Sequence, residues 1–256
     1  MIRPSLAAVT LAVPVAMSVV STWGCGAGGG NERSPATVQS TAVQVPSASN
    51  ATRVAQVLAQ PDRKAEDRAL DGPRQATEVL SYLDVSPGMD VAVLAPGSGY
   101  FMELLARSIG LDGRLFARNP PSFLASSGLE QAWDERLERP AGARVVRIDD
   151  ELGKQLAVHG LDLVFLDHDY AKLAARGADS SSVDSSVWNA LKQDGRFVVI
   201  EREADAPRTR QAIESHGFRL AGEGRFLRPG ATPSDWGQSE RLAVDEKQVF
   251  LTFVKP

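Results

Sequence analysis

Twenty residues, Val91-Ala-Val-Leu-Ala-Pro-Gly-Ser-Gly-Tyr-Phe-Met-Glu-Leu-Leu-Ala-Arg-Ser-Ile-Gly110, constrain the fold more than any other part of this chain. Val91 to Leu94 is a short apolar run of the kind that makes a buried strand. Ala95-Pro-Gly-Ser-Gly99 is a tight turn of small residues. Phe101, Leu104, Leu105 and Ile109 then recur at helical spacing, and Gly110 stops the helix. Strand, glycine turn and helix in this order leave backbone N–H groups and the positive helix end facing a gap with little side chain in it. Doubly wound α/β folds hold nucleotide-like cofactors in such a gap.

The chain has 256 residues, a formal charge of −4 and 43% apolar residues. That is enough for one substantial α/β core once the N-terminal region is set aside. A mildly acidic chain without a basic face is not built as a nucleic-acid binder. No internal repeat, heptad run or P-loop is present.

Residues 1–25 read as an export signal. Arg3 gives a positive start, and Leu6 to Val20 is an apolar run of about 15 residues, short of the roughly 20 that span a bilayer. Cys25, the single cysteine, follows Gly24 at the end of this run. The arrangement resembles a bacterial lipoprotein processing site, with Cys25 the acylated residue and Thr22 and Trp23 as departures from the usual pattern. The expectation is a lipid-anchored protein on the periplasmic face of the cell envelope. With one cysteine, no disulfide forms within the chain. Residues 26–60, Gly-rich and then Ser/Thr/Ala/Pro-rich, read as a flexible linker. Residues 61–256 make the folded domain.

In that domain, helical patterns cover 62–70 and 74–83, before the strand at 91–94. Strands then alternate with helices: strands at 113–117, 144–148, 161–166 and 196–200; helices at 127–137, 151–159, 183–191 and 209–216. Two last strands fall at 218–226 and 249–254. Repeated βα units predict a mainly parallel sheet covered on both faces, with the final strand antiparallel.

Several segments together resemble the class I S-adenosylmethionine-dependent methyltransferases, and in particular a bacterial group of predicted methyltransferases. They are Pro87–Tyr100, the helix Glu103–Arg107, Gly113–Pro121, Leu161–Leu166, Leu191–Val199 and Phe250–Pro256. The resemblance spans roughly residues 69–256. It implies an α/β, Rossmann-like, doubly wound seven-stranded sheet with the last strand inserted antiparallel. It also implies S-adenosylmethionine as cofactor. Ala95, Gly97, Ser98 and Gly99 then fall on the cofactor loop and Asn119 at the ribose position. Asp149 and Asp150 fall near the adenine. Asp167 and His168 fall at the mouth where the methyl leaves, as candidate catalytic groups. Family members usually carry an acid where Val93 stands and a glycine where Ala95 stands, and Pro96 has no N–H to give. Loss of a charge-assisted hydrogen bond weakens binding by about one to two orders of magnitude.

Plainer readings stand beside these. Gly97 and Gly99 also suit close helix packing. Asp167-His168-Asp169 also suits a loop after a buried strand, and one histidine with flanking carboxylates is too few ligands for a metal. His159 and His216 sit beside glycines at helix ends, as capping residues do. Ser180-Ser-Ser-Val-Asp-Ser-Ser186 reads as a helix start rather than a nucleophile, because no histidine is tied to it in the sequence. Trp236 falls in a polar loop as a lid or contact residue.

The expected function is transfer of a methyl group from S-adenosylmethionine to an acceptor the sequence does not identify. The alternative is a catalytically inactive, envelope-anchored binding module on the same fold. A third option is another small nucleoside in the altered cleft. The export signal and the altered loop favour the module. The retained fold favours the enzyme.

Overall fold

A computed structural model describes residues 48–228 and 247–256, all within one compact unit. Cys25, the export signal, most of the expected linker and Trp236 lie outside the described residues.

The fold opens with α1 (Ala48–Leu58), α2 (Ala65–Leu70) and α3 (Ala76–Leu83). There follow β1 (Asp90–Leu94), α4 (Tyr100–Ser108), β2 (Arg114–Arg118), α5 (Pro121–Ser127), α6 (Glu130–Leu137), β3 (Val145–Ile148) and β4 (Leu161–Asp169). The chain closes with α7 (Ser180–Ala190), β5 (Leu191–Arg202), α8 (Ala206–Glu214), β6 (Arg219–Gly224) and β7 (Gln248–Val254).

The seven strands form one sheet in the order β3-β2-β1-β4-β5-β7-β6. β7 runs antiparallel to both β5 and β6, and the other pairings are parallel. The expected doubly wound architecture and inserted antiparallel strand are therefore present. β1 lies in the middle, and its period-two side chains divide between two cores. Val91 and Val93 pack with α1, α3, α4 and Trp133. Ala92 and Leu94 pack on the other face, with α7 and α8.

Two expectations are corrected. The linker read over residues 26–60 overlaps α1, whose Val54 and Val57 are buried in the first core. The helix expected at 151–159 does not form. Leu152 and Leu156 are buried, as their spacing promised, but the backbone groups between them find side-chain partners instead. Arg118, on β2, donates to the carbonyls of Leu152 (3.3 Å), Lys154 and Gln155 (3.0 Å). Ser186 Oγ donates to Lys154 O (3.0 Å) and accepts from Leu156 N (3.0 Å). Those bonds satisfy the segment without a helical ladder.

Candidate functional site

The turn after β1 brings Ala95, Gly97, Ser98 and Gly99 to the carboxyl end of the sheet. Three of its residues hold positive φ: Ala95 (51°), Gly97 (60°) and Gly99 (84°). Ala95 is the strained member, since a Cβ disfavours the left-handed region. Its N–H donates to Arg118 O (2.8 Å), which fixes the loop to the end of β2.

Asn119 follows directly and is wholly buried. Its Nδ2 donates to Gly97 O (2.7 Å), so the side chain bridges the end of β2 and the glycine turn. Its Oδ1 is buried with no hydrogen-bond partner among the described residues. Such an acceptor costs about 1–3 kcal/mol unless something donates to it.

The other side of the turn is closed by protein. A Cβ on Gly99 would lie 2.8 Å from Arg136 Cδ, 2.8 Å from Met102 Cε and 3.0 Å from Trp133 Cζ3. Close packing of α6 thus accounts for Gly99. Arg136 Nε also donates to Ser98 O (2.6 Å).

Arg136 belongs to a buried ionic cluster absent from the sequence reading. It pairs with Asp67 (2.9 Å) and Glu103 (2.6 Å). Arg139 contacts the same two carboxylates, and Arg107 joins Glu103 (2.8 Å) to Asp62 (2.8 Å). Burial pushes the Asp67 carboxyl up, but the Arg136 and Arg139 guanidiniums outweigh it and hold it below the ordinary range. The cluster fixes α2 and α6 against the first turn of α4, beside the glycine turn.

Asp167 and His168, expected just past a strand ending at Leu166, lie inside β4, at a register shift. Leu166 pairs with Val199, but Asp169 pairs with Ile200, so Asp167 and His168 are extra residues in β4. Both are wholly buried. His168 Nδ1 is 2.9 Å from Asp169 O, and its ring lies 5.8 Å from that of Phe123 on α5. Asp169 accepts from Gln248 Nε2 (2.8 Å) and pairs with Lys172 (2.8 Å). Neighbouring Glu201 accepts from Ala171 N (2.8 Å) and Thr209 Oγ1 (2.7 Å), and burial pushes its carboxyl up.

Asp149 and Asp150 stand just past β3, in partly exposed ion pairs. Asp149 pairs with Arg147 (2.6 Å) and Asp150 with Lys154 (2.7 Å). The structure therefore brings together the Ala95–Gly99 turn and Asn119, and keeps the Asp149–Asp150 pair at the surface. Val93 is fully buried in the first core, so this part of β1 offers no charge. Among the described residues, no group of three or more His, Cys, Asp or Glu side chains is placed to hold a metal.

A further cluster also escaped sequence reasoning. Ser181 Oγ lies 3.0 Å from His216 Nε2, and His216 Nδ1 lies 3.5 Å from Asp184 Oδ2. Tyr170 donates to Asp184 Oδ2 (2.6 Å). Burial pushes Asp184 up to about 6. The histidine that the serine segment itself lacks comes from 35 residues away.

No protein-family model and no curated protein matches the sequence. Solved structures match the fold. A SAM-dependent methyltransferase from Aquifex aeolicus is 12% identical, with a TM-score of 0.53, over 80% of this chain and 98% of that one. The cyclase SpnF is 14% identical, with a TM-score of 0.52, over 77% and 85%. TrmN from Thermus thermophilus is 15% identical, with a TM-score of 0.50, over 76% and 53%. In fold, the chain is methyltransferase-like, and the inclusion of a cyclase illustrates how one such fold hosts more than one chemistry.

Proposed function

We propose that this chain binds S-adenosylmethionine at the carboxyl ends of β1 and β2, as a methyltransferase-like protein with a weakened grip. The observation that carries this reading is Asn119 Oδ1, a buried acceptor without a hydrogen-bond partner among the described residues, beside the positive-φ turn. Asn119 Oδ1 would accept from a ribose hydroxyl of the bound cofactor. Val93 in place of an acid, Ala95 in place of a glycine and Pro96 without an N–H each subtract from affinity. When bound, the cofactor supplies a sulfonium-activated methyl group. The chain's own part is to hold the adenosyl portion between Gly97 and Asn119, with proximity as the main catalytic resource. Asn119 must release Gly97 O for this to happen.

A second reading, binding without transfer, is favoured by the burial of Asp167 and His168. A general base has to come within hydrogen-bond reach of the proton it takes. Neither side chain reaches solvent. Lipid anchoring through Cys25 would place either protein on the outside of the membrane, away from cytoplasmic cofactor, and so fits the second reading better.

Calorimetry of the full chain with S-adenosylmethionine tests both. A saturable heat is expected, with affinity about tenfold lower in Asn119→Ala, the effect of one ordinary hydrogen bond. Absence of heat in the unsubstituted chain would overturn the proposal. Binding without methyl turnover would select the second reading.

A further inference from the structure

The geometry points to a second reactive centre, independent of the adenosyl site: Ser181 as a nucleophile, with His216 as its base and Asp184 as the residue that positions the base. Small activated carboxylic esters are its substrate class.

Ser181 is exposed, in the first turn of α7. His216 follows α8, where Gly217 takes a φ of 95° and turns the chain away against Trp188. His216 is partly exposed, its side chain at 23%, whereas Asp184 is fully buried. The surroundings of the ring choose its tautomer. Nδ1 faces acceptors: Ala212 O at 3.2 Å, Asp184 Oδ2 at 3.5 Å and Ser215 Oγ at 3.4 Å. The proton therefore sits on Nδ1. Nε2 keeps its lone pair and accepts from the Ser181 hydroxyl, as a nucleophile–base pair requires. Tyr170 in turn holds the Asp184 carboxylate. The charged or titratable groups facing His216 are Asp184 and Asp179 of the α7 start, with Tyr170 behind Asp184.

The reaction balances without any further reagent than water. Ser181 Oγ bonds to the ester carbonyl carbon and passes its proton to His216 Nε2. The carbonyl–alkoxide bond breaks, and the leaving oxygen takes that proton. Water then attacks the acyl-serine, again giving its proton to His216, and Ser181 leaves reprotonated. The N–H groups of Ser181 and Ser182 already donate to Asp179, at 3.3 and 3.1 Å. With those donors occupied, oxyanion support is poor. Turnover is therefore slow and confined to esters with good leaving groups.

The test treats the full chain with a fluorophosphonate probe and with p-nitrophenyl acetate, followed by peptide mapping. Labelling is expected on Ser181 and absent in Ser181→Ala. His216→Gln should slow it by about 10²-fold, the lower range for general-base catalysis. Asp184→Asn should slow labelling in a folded protein, and Asp184→Glu should restore part of the rate, as a residue that positions the base requires. Ser185→Ala, one helical turn along α7, should label at the normal rate. Thermal midpoints check that each variant folds, and Ser181→Ala, at an exposed position, keeps the test decisive. Labelling elsewhere than Ser181, or labelling of equal rate in a folded His216→Gln, would overturn the proposal.

Discussion

Glu103→Gln is expected to lower the unfolding free energy by about 3–5 kcal/mol, the usual penalty for removing one partner of a buried ion pair. Glu103 sits at the centre of the cluster, where it accepts from Arg107, Arg136 and Arg139. Its side chain is 4% exposed, and those of Arg107 and Arg136 are 3% and 6%. The amide would leave three guanidiniums with only Asp62 and Asp67 as carboxylate partners. Water cannot readily screen the excess at these exposures. A small domain has about 5–15 kcal/mol in all, so the loss is a large share of its stability. Urea titration reads it as a lower midpoint with an unchanged slope. For contrast, Arg147 and Asp134 form an exposed pair, and breaking it should change stability by less than about 1 kcal/mol. A loss equally small for Glu103→Gln would mean that the cluster is hydrated and does not fix α2, α4 and α6 to one another.

Gly99→Ala is expected to cost about 2–4 kcal/mol, from two independent sources. At a φ of 84°, alanine pays a backbone penalty that exceeds its usual entropic advantage over glycine. The added methyl also meets Arg136, Met102 and Trp133 at 2.8–3.0 Å, and overpacking of this kind costs about 1–3 kcal/mol. Arg136 has little freedom to retreat, being held by Asp67, Glu103 and Ser98 O. Trp133 is wholly buried. The loss should appear in urea titration without any ligand. If stability is unchanged and only ligand binding suffers, the glycine serves the ligand and not the packing of α6.

The parts of the fold that were legible in the sequence are those in which local pattern and tertiary role agree. The run from Val91 to Gly110 shows its strand, turn and helix, because both faces of β1 are buried and α4 keeps an apolar side. α1 was hidden because its helix is rich in small polar residues, with Val54 and Val57 its only buried apolar side chains. The loop at 151–159 misled for the opposite reason. Its apolar spacing is helical, yet Arg118 and Ser186 supply the bonds that a helix would otherwise make.

The site was legible in outline only. Gly97 and Asn119 do meet at the carboxyl end of the sheet, through the Asn119 Nδ2 bond to Gly97 O. What the sequence could not disclose is what else comes there. Arg136 reaches Ser98 from 38 residues away, and Asp67 reaches Arg136 from 69. The link from His216 to Ser181 is of the same kind. Charged and polar side chains carry no periodic signature, so a partner distant in the chain becomes visible only when the fold supplies it.

The most direct measurement is a crystal structure of this chain grown with S-adenosylhomocysteine. The account predicts adenosyl density between the Ala95–Gly99 turn and the end of β2, with Asn119 parted from Gly97 O and its Oδ1 accepting from a ribose hydroxyl. Density elsewhere, or none, with the Asn119–Gly97 bond intact, would contradict it.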